Sequence, residues 1–237
     1  MPTPHRPPQP APQLASPHSA FAGEARRLFA EAIGTYFLVV VGCGAVVLDR
    51  PAAAIAFFLV VLALIGGLGH ISGAHFNPAV SLGFLLTRRL SGRRFLSYAA
   101  AQSTGAVLAG FTLRAIWPNR PANLGATVPS IGAGRAVLVE AVLTALLMLV
   151  IAGVATDARA VGVPAGLAIA AVVGATSFAF GPLTGASLNP ARSLGPALAA
   201  GQWSHFWVYL LGPCAGAVAG GFAYEILRGS RDERVDR

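Results

Sequence analysis

Apolar residues run along the chain in stretches of roughly 18 to 25, broken by short segments rich in arginine, glycine and proline. Six stretches stand out: 26–48, 53–71, 94–117, 135–155, 164–181 and 204–228. Each has the length a helix needs to cross a hydrocarbon core about 30 Å thick. A helix satisfies its own backbone groups in lipid, so the pattern predicts six transmembrane helices.

Two further stretches, 72–90 and 184–200, are moderately apolar but are interrupted near their starts by Asn77-Pro78 and Asn189-Pro190. Each is too short and too polar to cross alone. Non-helical backbone at membrane depth survives only where protein buries it or where it lines a water-filled cavity. Re-entrant half-helices are therefore expected at both places.

The two halves repeat. HFNPAVSLG at 75–83 aligns with SLNPARSLG at 187–195, an offset of 112. AEAIGT at 30–35 aligns with VEAVLT at 139–144, an offset of 109, and GAVLAG at 105–110 with GAVAGG at 216–221, an offset of 111. Each half holds three spans and one half-helix. Three is odd, so the second half enters the membrane inverted relative to the first. Such inverted repeats place their functional site near the midplane, where the halves meet. The expected fold is an all-α membrane protein of six spans and two half-helices, with repeat one at 24–117 and repeat two at 135–228. Residues 1–23 and 229–237 read as tails, the first of them disordered. The small residues at 105–110 and 216–221 read as faces where helices approach closely.

Composition agrees with this class. Of 237 residues, 55% are apolar and 11% charged, against about 25% charged in a soluble domain. The net charge of +8 comes from arginine alone, and twelve of the arginines fall on one side of the six spans against four on the other. That bias orients the protein with both termini cytoplasmic. It also accounts for the basic charge without nucleic acid as a partner. Cys43 and Cys214 lie alone in apolar stretches, which points to packing rather than to a disulfide or metal site. No secretory signal peptide stands at the N-terminus, so the first span serves as the insertion signal. No cofactor or metal is implied.

The paired turns Asn77-Pro78-Ala79 and Asn189-Pro190-Ala191 carry the chemistry. Asparagine is a good helix cap, and proline fits the first helical position, where its missing N–H costs nothing. Each half-helix then points its positive N-terminal end toward the membrane centre. With its oxygen held by the cap, each asparagine offers amide N–H groups to a passing oxygen atom. A water held by both has its lone pairs engaged, which breaks its hydrogen-bonded relay to neighbouring waters.

These two motifs, HFNPAVSLG and SLNPARSLGPA, resemble the paired pore loops of the aquaporins, or major intrinsic proteins, over roughly residues 24–228. The resemblance implies an hourglass pore in each subunit of a homotetramer in the plasma (inner) membrane, with passive flow of water or small neutral solutes. Asn77 and Asn189 match the family's pore asparagines, and Arg192 matches the arginine of its outer constriction. An arginine at that depth is expensive and usually functional; it donates to a permeant oxygen and repels cations. The other constriction positions fall on Phe57, Ser177 and Ala186. Strict water channels carry histidine where Ser177 stands, and glycerol-conducting relatives carry aspartate where Ser193 follows the arginine. The preferred reading is a pore for water and a small uncharged solute; a strictly water-selective channel is the alternative.

Glu31 and Glu140 are repeat mates within the first and fourth spans. A secondary transporter would use them as coupling carboxylates. The preferred reading makes each an acceptor for the backbone of its re-entrant loop, as in the family. His75 has two readings, a pH gate or a hydrogen bond to loop backbone, the second preferred. Gln102 shows no acidic partner and is assigned loop packing. An intramembrane enzyme would need a nucleophile and base, and His70 and His75 have no matching acid or metal-spaced partner.

Overall fold

The computed structural model describes residues 17–48, 50–160, 162 and 164–229. Among these residues the chain forms eight α-helices: α1 Pro17–Leu48, α2 Arg50–Ser72, α3 Pro78–Leu86, α4 Gly92–Ile116, α5 Ala133–Thr156, α6 Ala165–Thr184, α7 Pro190–Ala200 and α8 Val208–Arg228. A short 3-10 turn, Pro121–Gly125, lies between α4 and α5. The six long helices fall on the six expected spans and the two short ones on the expected half-helices.

Two boundaries differ from expectation. The first helix starts at Pro17, so residues 17–23 are helical rather than a disordered tail; residues 1–16 lie outside the described residues. The last helix starts at Val208, because residues 204–207 close in turns around Trp203 and His205. The expected C-terminal tail lies outside the described residues from 230 onward. Five long helices are apolar enough to span on composition alone; α4 is not. Its sequence holds Arg93, Arg94, Gln102, Thr104, Thr112 and Arg114, of which Gln102 is buried and faces protein rather than lipid.

Packing follows the repeat. Helix α1 packs on α2 and α4, as α5 packs on α6 and α8, and α2 meets α6 across the centre. The half-helices cross over: α3 packs on α8 and α7 on α4, so each half of the chain holds the other's short helix. Glycine makes the closest contacts possible. A methyl group at Gly105 would lie 2.0 Å from the Ala32 carbonyl oxygen, and one at its repeat mate Gly216 would lie 2.1 Å from that of Ala141. Small-residue faces of this kind bind helices in lipid, where apolar burial against other apolar surface drives little.

Candidate pore and its constriction

Asn77 and Asn189 cap α3 and α7 as their sequence predicts. Asn77 Oδ1 accepts from the Ala79 N–H at 2.8 Å, and Asn189 Oδ1 accepts from Ala191 and Arg192 at 3.0 and 3.2 Å. Proline follows at the first helical position of each. The amide ends do something the sequence reading did not foresee. Asn77 Nδ2 donates to the Leu188 carbonyl at 2.7 Å, and Asn189 Nδ2 donates to the Phe76 carbonyl at 2.8 Å. One N–H of each amide is thus spent on the opposite loop. An asparagine amide has two, so one per residue remains for a guest.

The carbonyls that receive these bonds belong to backbone in the left-handed region, with φ of 48° at Phe76 and 54° at Leu188. Ala74 and Ala186, two residues earlier in each loop, sit at 51° and 39°. Non-glycine residues in that region carry strain of about 1 to 3 kcal/mol each, and persist where surroundings over-determine them. The buried glutamates supply much of that constraint. Glu31 accepts from the His75 and Phe76 N–H groups at 3.0 and 2.7 Å, and Glu140 accepts from Ser187 and Leu188 at 2.9 Å each. The expected loop-holding geometry of both glutamates is present.

Two expectations need correction here. Gln102 does meet an acid: its Nε2 donates to Glu31 Oε2 at 2.8 Å and to Ser81 Oγ at 3.1 Å. The pair is 71 residues apart in sequence, so only the packing of α1 against α4 reveals it. His75 does not use its ring on loop backbone. Its Nδ1 pairs with Ser81 Oγ at 3.0 Å, and its ring lies against Phe84 and Tyr98 at centroid distances of 4.7 and 5.2 Å.

Two tyrosines complete the loop anchors. Tyr98 donates to the Ser72 carbonyl at 2.7 Å and Tyr209 to the Thr184 carbonyl at 2.6 Å. The sequence held a signal for them, because the offset of 111 that aligns GAVLAG with GAVAGG also carries Tyr98 onto Tyr209.

Two cavities meet at the predicted constriction. The larger, 580 Å³, is lined by Asn77, Asn189, His75 and Ala186 and runs to Arg89 and Thr156 at its far end. The smaller, 400 Å³, is lined by Asn123, Thr127 and Gly181. Phe57, Ser177 and Arg192 line both, so they stand at the junction. The Arg192 guanidinium lies over the Phe57 ring, 5.1 Å from its centroid, and donates to the Gly125 carbonyl at 2.8 Å. Residues 121–127 carry no motif that marks them in the sequence, yet Gly125 fixes the arginine and Thr127 pairs with Ser193 at 2.7 Å. Ser193 also pairs with Ser187 at 2.6 Å, so its hydroxyl faces the loop and not the cavity.

At the far end of the larger cavity, Arg89 is held by Thr156 at the end of α5 and by Glu225 on α8. Asp157, which caps α5, is held well below the usual carboxylate range by hydrogen bonds from Arg159 and then from Tyr224. Among the described residues no group of three His, Cys, Asp or Glu side chains is placed to hold a metal ion.

The chain is similar to known channel proteins along most of its length. A family model described as "Major intrinsic protein" matches residues 18–224. "Aquaporin NIP1-1" of Oryza sativa subsp. japonica is 46% identical over 211 residues, covering 86% of this chain and 74% of the relative. "Nodulin-26" of Glycine max is 44% identical over 211 residues, covering 86% and 78%. The X-ray structure of the aquaglyceroporin from Plasmodium falciparum superposes with a TM-score of 0.77 at 27% identity, covering 85% of this chain and 96% of that one. With the paired capped half-helices, the crossed loops and this coverage, the chain belongs to the major intrinsic protein family.

Proposed function

We propose that the protein is a passive membrane channel, not an enzyme, for water and small uncharged solutes, with its selectivity set at Phe57, Ser177, Ala186 and Arg192. Family membership supports the channel class for water and small solutes. One observation carries the finer reading: among the described residues, the three that line both cavities are bulky Phe57 and Arg192 and small Ser177, and small Ala186 lines the larger cavity with them. A guest wider than water fits beside the stacked Phe57–Arg192 pair, on the side where Ser177 and Ala186 are small, with the ring suiting carbon and the guanidinium suiting hydroxyl oxygen. Ions and protons are excluded by the Arg192 charge and by the two positive helix ends that meet at Asn77 and Asn189.

The protein works as a homotetramer in the plasma membrane with both termini cytoplasmic, a reading supported by the arginine bias and by the family. A secondary transporter driven through Glu31 and Glu140 is disfavoured by their hydrogen bonds. Each carboxylate is buried and already accepts from its own loop, which leaves no cycle of proton binding and release without dismantling that loop.

Stopped-flow swelling of proteoliposomes in water, glycerol and urea tests the reading. Gradient-independent flux of water and glycerol is the expected result. Uptake that requires a proton or sodium gradient would remove the channel, and passage of water with exclusion of both solutes would remove the wide aperture.

A further inference from the structure

Two glycines on α1 face aromatic rings at contact distances no side chain could share. A methyl group at Gly42 would lie 2.0 Å from Phe57 Cε1, with Cζ and Cδ1 at 2.4 and 2.5 Å. A methyl at Gly34 would lie 2.1 Å from Phe76 Cε1. The two glycines are about 12 Å apart along the helix axis. One hollow therefore sits beside the midplane loop and the other beside the constriction.

The second half of the chain solves the same packing differently. By the offsets that align the repeats, Gly34 and Phe76 correspond to Leu143 and Leu188, and Gly42 and Phe57 to Ile151 and Ile169. All four aliphatic residues are buried in the same core cluster as the two phenylalanines. Where repeat two places two mid-sized side chains, repeat one places a ring and a hollow. The pattern occurs twice, so the glycines and the rings go together.

We propose that Gly42 is a specificity-determining positioning residue: the hollow it leaves on α1 seats the Phe57 ring and thereby sets the aperture between Phe57, Ser177 and Arg192. This rests on the reading of those residues as the constriction. Carbon atoms in ordinary contact are about 3.5 Å apart, so a methyl at 2.0 Å must drive the ring back by about 1.5 Å. The ring is 6% exposed, and the open space beside it is the channel, since it lines both cavities. A retreat of that size is close to the radius of a water molecule, about 1.4 Å. It narrows a passage for a carbon-bearing guest much more than for water.

The test uses the full chain in proteoliposomes as wild type, Gly42→Ala, Phe57→Leu and Gly42→Ala/Phe57→Leu, with water and glycerol permeability measured in each. Gly42→Ala is expected to lower glycerol flux about tenfold and water flux less than about threefold. The double variant, whose shorter side chain leaves room for the methyl, is expected to return glycerol flux to that of Phe57→Leu alone. Equal losses of water and glycerol in Gly42→Ala, or no recovery in the double variant, would overturn the proposal. Where Gly42→Ala does not assemble, the proposal requires that the double variant does; failure of both would make Gly42 a helix-packing residue only. A wild type that excludes glycerol would defeat the wide-pore reading instead. The hollow would then be judged on water flux, which must fall in Gly42→Ala and recover in the double variant.

Discussion

The side-chain amide of Asn77 is bonded to the main chain of Leu188, 111 residues away, with Nδ2 donating to its carbonyl at 2.7 Å. Asn189 returns the bond to Phe76 at 2.8 Å, so the two half-helices are tied head to head through their own caps. Each asparagine therefore serves two partners, its helix N-terminus and the facing loop, and has a second amide N–H beyond the one given to that loop. That sharing explains why aspartate, serine or threonine would not serve equally well there. They cap a helix, but they cannot cap and donate an amide N–H together.

Asn77→Asp separates the two tasks. The carboxylate still accepts from Ala79, but it faces the Leu188 carbonyl with no proton to give. A buried acceptor left unpaired costs about 1 to 3 kcal/mol, and oxygen-on-oxygen repulsion adds to it. Thermal unfolding in detergent should fall by several degrees, and water permeability should drop about tenfold. A variant with wild-type stability and flux would show that the crossed bond is dispensable.

The two buried glutamates differ in what they carry. Glu31 accepts four hydrogen bonds, from Ser72, His75, Phe76 and Gln102, whereas Glu140 accepts from the two loop N–H groups of Ser187 and Leu188. Replacement by glutamine turns one acceptor into a donor pointed at donors. Glu31→Gln should therefore cost more, about 3 kcal/mol against about 2 for Glu140→Gln at 1 to 3 kcal/mol per orphaned group. Melting curves of the two variants give the order. Neither variant should make flux depend on a proton gradient, and such dependence would favour a coupled transporter.

Arg192 is fixed by the Gly125 carbonyl on one side and the Phe57 ring on the other. Arg192→Val copies repeat one, which carries Val80 at the equivalent position. It removes the cation and widens the junction together. Glycerol flux should rise severalfold, and vesicles loaded with a pH-sensitive dye should show a proton or cation leak that the wild type lacks. Arg192→Lys keeps the charge but not the planar fork, so exclusion should hold while solute flux falls. Unchanged exclusion in Arg192→Val would remove the residue from the barrier.

What the sequence revealed and what it withheld divide along a physical line. The spans, the half-helices, the inverted repeat and the caps depend on local pattern and on self-similarity, and both are written in one dimension. Span length follows from bilayer thickness, and Asn-Pro fixes a helix start from its own dihedral preferences. The Gln102–Glu31 bond, the Gly125 carbonyl under Arg192 and the ring of His75 on Ser81 depend on which helix faces which. No spacing encodes them. Tyr98 and Tyr209 fall between these cases: the repeat offset pairs them, but only the loop carbonyls they reach give the pairing a purpose.

Ser177 offers the most direct test of guest size. It stands on α6, lines both cavities together with Phe57 and Arg192, and is half-buried. Ser177→His places a ring where a hydroxymethyl group now stands and supplies the residue that water-only relatives of this family carry. Ala186, which lines the same cavity, is buried and has no rotatable side chain that could move aside, so the ring has to occupy the passage itself. A guest that must be squeezed by one or two methylene widths loses about 1 to 3 kcal/mol, or roughly ten- to two-hundredfold in rate. Glycerol permeability should fall by at least the lower figure while water permeability stays within about twofold, because water needs only one free width and gains a hydrogen-bonding ring. Adding Phe57→Leu to the same chain should restore part of the glycerol flux. Glycerol passage that survived Ser177→His unchanged would place the narrowest point elsewhere, toward the crossed asparagine loops at Phe76 and Leu188.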